Sequence, residues 1–342
     1  MSRSDALVPD DSLYDLAFDQ FSRQYHMKQL IESVRPKRRL KILDVGGNNG
    51  KTREFFPRDE VMIADLYDIE EPGYTKASAL DLPFADNSYD VVTCFDVFEH
   101  IEQKDRQQFL SEISRVAKHF IVVAAPFNTQ YVANAEQELN NYYKTITGND
   151  HRWLKEHIDN GLPEQNEIEA YYTKSGLALK TYSSNNILLW TGMQNLIFLA
   201  DSVKAPERLS NLNRFYNEHL TSLGDGVEPS YRRIYFVVKD GKMPDDVEIT
   251  QPIDPDAVRH LINSAALATN EIIYGSAPVR EKTEIIREKN EAIHTQAGQL
   301  AEKDREIARL HNNLNDILGS RSYRIAQALK ATKNALSPKR RK

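Results

Sequence analysis

The residues with the clearest chemical meaning lie in a glycine-rich turn between positions 44 and 50. Asp44 ends an apolar run, and Gly46, Gly47 and Gly50 follow it around Asn48. Glycine allows a sharp turn and close approach to a ligand because it has no Cβ, and asparagine also tolerates left-handed backbone. An acid two residues before the first glycine suits a cationic ligand better than a pyrophosphate, which it would repel. The pattern predicts a cofactor site that accepts positive charge.

Two further acids stand where later strands are expected to end. Asp65 closes the run 61–65, and a carboxylate there can accept both hydroxyls of a ribose. Asp81 is suited to accept from an adenine amino group, with Leu82 against the ring. A nicotinamide enzyme is the nearest rival, but its G-x-G-x-x-G fingerprint is not matched, because Asn48 stands in the middle position.

The segments ILDVGGNNG, IADL and ALDLPFADNSYDVVTCFDVFEHI resemble the motif series of class I S-adenosylmethionine (SAM)-dependent methyltransferases, over residues 38–125. The resemblance implies SAM as the cofactor. It also implies a set of cofactor-binding residues: Asp44, Gly46, Gly47, Asn48, Gly50, Asp65, Leu66, Asp81, Leu82 and Asp96. The turn would surround the methionine part, Asp65 would hold the ribose, and Asp81 and Leu82 the adenine. Asp96 would face the substrate, and Asn48 departs from the family's middle glycine.

Candidates for the acceptor side lie after position 125, in a segment rich in polar aromatic, histidine and charged residues. They are Tyr142, Tyr143, Asp150, His151, Arg152, Trp153, Lys155, Glu156 and His157. Such side chains are suited to a pocket for a sugar or a phosphate. A hydroxyl acceptor needs a base, whereas a phosphate is already anionic. We predict His151 and Asp96 as catalytic residues; the alternative for His151 is a structural hydrogen bond within a lid helix.

Three more residues have side chains that could bind a metal ion or act as a nucleophile, but the sequence favours structural roles for them. Metal binding is known in some relatives with a pair similar to Glu99 and His100. Two adjacent residues chelate poorly unless a third ligand folds in, so the sequence predicts no metal site. Cys94, the only cysteine, lies inside an apolar run and is expected in the core. A single cysteine excludes an intrachain disulfide and favours a reducing compartment.

The acids described above need strands that end at one edge of a sheet. Apolar patterning predicts helices at 11–34, 103–117 and 164–175, helical sequence at 186–219, and strands at 40–45, 60–65, 89–95, 119–124, 177–182 and 231–238. This alternation predicts an α/β, Rossmann-like sheet with helices on both faces, formed by residues 1–240. The last strand is expected to enter antiparallel, as is common in this architecture.

Composition and charge limit the partners of the chain. Its 342 residues are 40% hydrophobic and 27% charged, as in soluble globular proteins. The net charge is −6, but residues 319–342 carry +8 with no acid, which leaves −14 for residues 1–318. An acidic body argues against nucleic-acid binding by the catalytic domain. The most apolar stretch, 187–200, is too short to span a bilayer and no signal-peptide core is present, so we expect a cytoplasmic protein with at most peripheral membrane contact.

The C-terminal third follows a different pattern. Residues 241–276 are expected to be a linker and connecting helix, 277–318 a coiled coil, and 319–342 a basic amphipathic tail. Apolar residues recur every seven positions at Val279, Ile286, Ile293, Leu300, Ile307 and Leu314. This seam predicts a parallel dimer or trimer; the alternative is one helix packed on its own domain. The tail is suited to an anionic membrane surface, and RNA or an acidic partner is the alternative.

Taken as a whole, the chain resembles methyltransferases of bacterial surface-polysaccharide (O-antigen type) synthesis. The segments HRWLKEH and NGLP carry this likeness, and GSRSYR in the tail resembles the tails of associated glycosyltransferases. The resemblance implies a lipid-linked glycan acceptor, methylated on a sugar hydroxyl or terminal phosphate at the inner face of the cytoplasmic membrane, with glycosyltransferase partners. The alternatives are methylation of a soluble small metabolite, and an inactive scaffold that recruits glycan-assembly partners.

Overall fold

The computed structural model describes residues 9–47, 51–221, 223, 227–241, 243, 254–274 and 302–311, with a few isolated positions between 289 and 329. The chain divides into two compact units, residues 1–273 and residues 274–342. The predicted cofactor and acceptor residues all belong to the first unit.

The described part of the chain contains one mixed sheet of seven strands, in the order β3-β2-β1-β4-β5-β7-β6. The strands are β1 Lys41–Val45, β2 Glu60–Asp65, β3 Tyr74–Lys76, β4 Tyr89–Phe95, β5 Ala117–Pro126, β6 Ala178–Asn186 and β7 Ser230–Val238. Strands β1 to β5 pair in parallel, and β7 is antiparallel to both β5 and β6. The Rossmann-like α/β fold and the antiparallel late strand predicted from the sequence are confirmed. Parallel pairing brings the carboxyl ends of β1, β2, β4 and β5 to one edge.

Helices connect these strands and cover both faces of the sheet. They are α1 Phe18–Ser33, α2 Thr52–Phe55, α3 Arg106–Val116, α4 Gln130–Thr147, α5 Arg152–Asn160, α6 Gln165–Lys174, α7 Ile187–Ser202, α8 Ser210–His219 and α9 Pro255–Tyr274. Short 3-10 segments occur at Asp11–Asp15, Phe98–His100, Gln103–Asp105 and Pro206–Leu209. Helices α4 and α5 form the long insertion after β5 that sequence patterning left unassigned.

The two faces of the sheet bury different residues of the same strands. In β1, Leu43 and Val45 pack in a core with α3 and α6, whereas Ile42 packs in a second core with Phe21 and other residues of α1. This alternation follows from the two-residue side-chain period of a strand. Because both faces are covered, the central strands are mostly apolar, and β4 is buried at all seven positions.

A third core lies outside the sheet and extends the first unit. Trp190 of α7 stacks on Tyr231 with ring centroids 3.5 Å apart. Leu261, Ala268 and Ile272 of α9 are buried in the same cluster. The compact unit therefore continues to Ile273, because α9 has an apolar face to bury.

The second unit is described only in part. Residues 302–311 are helical, and Ile307 and Leu310 are 63% and 59% exposed. The other positions of the predicted heptad seam, Val279, Ile286, Ile293, Leu300 and Leu314, lie outside the described residues, as does most of the basic tail. Among the described residues, no helix has the length and apolar character needed to cross a membrane.

Candidate functional site

The turn after β1 is shaped by two glycines. Gly46 has a φ of +83°, and its amide donates to the carbonyl of Ala64 at 2.8 Å, beside the end of β2. A Cβ on Gly46 would collide with the side chain of Val97, and a Cβ on Gly47 would collide with the carboxylate of Asp44. The turn thus presents bare backbone next to a buried carboxylate. Asn48 and Gly50, also predicted to contact the cofactor, lie outside the described residues.

Asp44 is held rigidly beneath this turn. Its side chain is hydrogen-bonded by the hydroxyl of Thr52 and, at 2.9 Å, by the hydroxyl of Thr93 on β4. Burial raises the pKa of Asp44 to about 6, although both threonine hydrogen bonds act in the opposite direction. A cation above the turn would favour the ionised form.

The residues predicted to hold the nucleoside lie at the end of β2 and in the following loops. Asp65 is partly exposed and accepts from the amide of Tyr67 at 3.2 Å, and Leu66 is 69% exposed. Asp81 is also exposed. Leu82, in contrast, is buried in the core, and its amide donates to Glu112 at 3.0 Å. Asp65, Leu66 and Asp81 are therefore accessible to a ligand, whereas the contact predicted for Leu82 would need its buried side chain to turn outward.

Asp96 follows β4 with a φ of +53°, and both of its carboxylate oxygens are already bonded. Arg232 of β7 donates from Nε and Nη2 to the two oxygens, each at 2.6 Å. Arg232 also donates to Asp19 of α1 at 2.7 Å, and Arg23 lies 3.5 Å from both acids. Both oxygens of Asp96 are therefore held by Arg232, and neither is positioned by the protein to accept a proton from a substrate. Its predicted catalytic role stays a prediction.

Arg232 was not identified from the sequence, because it stands in a strand where alternate residues are apolar. Asp19 gave no signal either, since an acid in the first turn of a helix is common. The pKa of Asp19 is lowered to about 2, because the charges of Arg232 and Arg23 and hydrogen bonds from Arg232 and Trp190 outweigh its desolvation.

His151 precedes α5 and packs among aromatic rings. Its ring centroid lies 4.9 Å from that of Tyr143 and 4.8 Å from that of Phe198. Burial lowers the pKa of His151, and its Nδ1 is buried without a hydrogen-bond partner. Its backbone amide donates to Asn140 at 2.8 Å. The imidazole thus packs between aromatic rings, and both the catalytic role of His151 and the alternative of a structural hydrogen bond stay predictions.

A second histidine of the same insertion meets the segment after β4. His157 of α5 comes together with Glu99 and His100, and one potential ligand atom of each lies within 4.8 Å of the other two. Burial raises the pKa of Glu99 well above its usual value. The sequence could not find this cluster by spacing, because 57 residues separate His157 from His100. The third group that an adjacent Glu-His pair needs is therefore present.

A cavity of about 270 Å³ opens near the ends of β5 and β7. It is lined by aromatic and hydrogen-bonding side chains, among them Thr129, Tyr131, Gln165, Glu228, Tyr231 and Arg233. Tyr231 connects the cavity to the histidine cluster, since its hydroxyl donates to Glu136 at 2.9 Å and Glu136 contacts His157 at 3.0 Å. The insertion after β5 therefore links the cavity to the histidine cluster.

Comparison with known proteins identifies the domain. Residues 43–120 match the family model described as "Methyltransferase domain". No curated protein is significantly similar to the chain.

Three solved structures have a similar fold at low identity. A SAM-dependent methyltransferase from Thermotoga maritima, described as a possible histamine N-methyltransferase, is 13% identical over 67% of this chain and 92% of its own, with a TM-score of 0.41. The YcgJ protein of Bacillus subtilis is 13% identical over 64% of this chain and 100% of its own, with a TM-score of 0.38. Magnesium protoporphyrin IX methyltransferase of Synechocystis PCC 6803, solved with SAH, is 13% identical over 59% of this chain and 75% of its own, with a TM-score of 0.33.

The domain match establishes residues 43–120 as a methyltransferase domain, so the chain is a SAM-dependent methyltransferase and SAM is its cofactor. The residues present fit this cofactor. Without a Cβ, Gly47 lets the backbone of the turn lie directly against the carboxylate of Asp44, which offers negative charge to a sulfonium or an ammonium group. Asp65 can accept from two ribose hydroxyls, and exposed Leu66 offers an apolar surface to a purine.

The raised pKa of Asp44 leads to a testable pH dependence. We expect the affinity for SAM to fall about tenfold between pH 7 and pH 5, because ionised Asp44 attracts the cationic cofactor and its pKa is about 6. Calorimetry at a series of pH values measures this. Since the folded pKa lies above the unfolded one, protonation of Asp44 stabilises the free protein as the pH falls from about 6 to about 4. Weaker binding in this range would therefore not reflect unfolding caused by Asp44.

The control for this prediction is Asp44→Asn, which keeps the size of the side chain and removes its charge. Its affinity should be lower at pH 7 and nearly constant down to pH 5. An equal slope in the variant and the original chain would show that another group causes the pH dependence.

Proposed function

We propose that this enzyme methylates an oxygen atom of a surface glycan, either a sugar hydroxyl or a terminal phosphate, at the end of a lipid-linked polysaccharide. The observation that supports this most directly is the cavity between the ends of β5 and β7. Its lining combines aromatic rings with hydroxyl, amide, carboxylate and guanidinium groups. Sugars present both apolar ring faces and many hydroxyls, so a pocket of this mixed composition suits them.

The lining residues have distinct capacities. Tyr131 is 64% exposed and offers a ring face together with a hydroxyl. Arg233, which pairs with Glu228 at 2.7 Å, can donate to a phosphate or to sugar oxygens, and Glu228 can accept from hydroxyls. Thr129 caps α4 by accepting from the amide of Val132 at 3.2 Å, so its hydroxyl proton stays free to donate.

Methyl transfer requires alignment of donor and acceptor. The cofactor supplies an electrophilic methyl group when it is bound. The glycine turn and Asp44 fix one end of the site, and the Arg232–Asp96 pair lies at the end of β4, where the substrate is expected. Holding the two reactants in line removes much of the entropic barrier. A hydroxyl acceptor must also lose a proton, whereas a phosphate acceptor is already anionic.

The C-terminal region supports a location at a membrane. We infer that residues 277–318 associate as a dimer or trimer, and that the +8 tail binds anionic lipid on the cytoplasmic side. The exposed Ile307 and Leu310 of the described helix are available for such pairing. This arrangement would hold the enzyme near lipid-linked substrates and near the glycosyltransferases that extend them.

The test is mass spectrometry of surface glycans from cells with and without the intact gene. The expected result is the loss of one methyl group per chain end in the deletion strain. Restoring the gene with Arg233→Ala should lower methylation about tenfold or more, since hydrogen bonds to charged groups contribute about 1.5–3 kcal/mol. Leu188→Ala is the matched control, because Leu188 is 74% exposed on α7 and does not line the cavity.

Unchanged glycans in the deletion strain would contradict the proposal. If a methylated small molecule then disappeared from the soluble extract of the same cells, the acceptor would be a soluble metabolite.

A further inference from the structure

Glu99, His100 and His157 form a compact group whose composition is that of a metal site. Glu99 and His100 belong to the 3-10 segment after β4, and His157 belongs to α5. Their potential ligand atoms all lie within 4.8 Å of one another. Atoms bound to one zinc ion in tetrahedral geometry, each about 2.1 Å from it, lie about 3.4 Å from one another. The group needs to close by up to about 1.4 Å to hold such an ion.

Both imidazoles are oriented by carboxylates. The Nδ1 atom of His157 lies 3.0 Å from Glu136, and the Nδ1 atom of His100 lies 3.1 Å from Glu156. A carboxylate only accepts, so Nδ1 carries the proton in each ring and Nε2 keeps its lone pair. Carboxylates bonded in this way to the second nitrogen are typical of histidines that bind metal ions.

Two of the atoms that remain are buried and lack partners. Glu99 is 4% exposed and His157 is 6% exposed, yet Glu99 Oε2 and His157 Nε2 have no hydrogen-bond partner. Leaving buried polar atoms unsatisfied costs free energy. One cation would hold the Glu99 carboxyl in its ionised form and satisfy both of these atoms, together with the imidazole lone pair of His100.

We propose that Glu99, His100 and His157 bind one divalent first-row transition-metal ion, for which zinc is the best fit. Two imidazoles and one carboxylate are among the common ligand sets of zinc. Three protein ligands leave a coordination position open to another oxygen atom. Val97, two residues before Glu99, packs against Gly46, so the ion would lie on the segment that joins the cofactor turn to the acceptor side.

The open position gives the ion a role that rests on the proposed function. An acceptor hydroxyl bound to the ion would have a lowered pKa and would release its proton more easily to solvent water. Its oxygen would then bond to the methyl carbon while the bond between that carbon and the sulfonium sulfur breaks. The ion would thereby orient the acceptor and reduce the need for a strong base.

The test measures the metal directly. The purified full-length chain, stripped with a chelator and dialysed, is titrated with zinc chloride by calorimetry, and thermal unfolding is followed with and without zinc. We expect one site that is weakened at least 100-fold in both Glu99→Gln and His157→Gln. Glu136→Gln keeps all three ligands and should weaken binding 10- to 100-fold, because it removes the carboxylate that orients His157. His219→Gln changes a histidine on α8 outside the cluster and should leave the site intact.

A second readout does not depend on the folding of any variant. Cobalt added to the stripped original chain should give visible absorption bands of a four- or five-coordinate ion, and zinc should abolish them. Absence of a stoichiometric site in the original chain, or zinc binding that persists unchanged in Glu99→Gln and His157→Gln, would overturn the proposal. If the original chain binds no zinc but the glycans are methylated, the metal proposal fails and the acceptor proposal stands. If the chain binds zinc but the glycans are unmethylated, the acceptor proposal fails and the metal proposal stands.

Discussion

Replacing Arg232 by methionine is expected to lower the free energy of unfolding by about 3–5 kcal/mol. Arg232 is 2% exposed and is the cation that Asp96 and Asp19 share. Its removal leaves two largely buried carboxylates, with only Arg23 at 3.5 Å to compensate. Removing one partner of a buried ion pair costs more stability than the intact pair contributes, because the desolvation of the remaining charge is no longer offset. Urea unfolding at pH 7 measures the loss.

The loss should depend on pH in a definite direction. Asp19 has a pKa of about 2 in the intact fold, below the unfolded value, so it stabilises the protein at neutral pH and this contribution disappears toward pH 2. Without Arg232 its pKa rises, and protonation in mild acid relieves the unpaired charge. The difference in stability between the variant and the original chain should therefore shrink between pH 7 and pH 4.

Lys155 offers an exposed control. It pairs with Asp159, and the two side chains are 45% and 55% exposed. Lys155→Met should cost about 1 kcal/mol or less, because exposed pairs gain little over solvation. Equal losses in Arg232→Met and Lys155→Met would show that burial does not decide the energetics of the pair at the site.

The parts of this site that the sequence predicts are those encoded by local patterns. The turn at Gly46 and Gly47 directly follows β1, where the sequence places it. The order of strands and helices could likewise be predicted, since apolar periodicity is a property of each segment alone. The long insertion after β5 was harder to assign, because helices α4 and α5 bury only part of their surface and carry many polar residues.

The parts that could not be predicted depend on contacts between distant segments. Arg232 and Asp19 are 213 residues apart, and neither has a local signal for a buried ion pair. The case of His157 is similar. The adjacent pair Glu99 and His100 indicates no chelate by itself, and only the packing of α5 against the segment after β4 brings a third group. Histidine content of the insertion suggested a polar site, but His151, the histidine chosen from the sequence, packs between aromatic rings instead.

The same contrast distinguishes two walls of the site, one that faces the cofactor and one proposed to face the acceptor. The cofactor wall is built from strand ends and a tight turn, so backbone geometry dictates which residue types fit. The proposed acceptor wall is built from side chains of α4, the start of α6 and the start of β7, whose identity the fold leaves free to vary. The cofactor is therefore the more secure deduction from the sequence, and the acceptor has to be inferred from the side chains that line the cavity.

Gly47→Ala is expected to weaken SAM binding on the order of 100-fold, since displacing a positioned group by about 1 Å has effects of this size. The added Cβ would run into the carboxylate of Asp44. That carboxylate is held by Thr52 and Thr93 and cannot retreat without losing a buried hydrogen bond, so the turn itself must move. Crowding of this kind also lowers the free energy of unfolding by about 1–3 kcal/mol. Calorimetry with SAM and urea unfolding measure the two effects separately.

Gly192→Ala is the control for the substitution as such, because a Cβ at Gly192 in α7 meets nothing within 4 Å. It should leave SAM binding unchanged and add up to about 1 kcal/mol of stability, as alanine does in a helix.

The double variant Gly47→Ala with Asp44→Ser then distinguishes crowding from loss of charge. Removing the carboxylate frees the space, so stability should largely return, but binding should stay weak because the negative charge beneath the cofactor is gone. Recovery of binding in the double variant would show that Asp44 contributes only bulk to the turn.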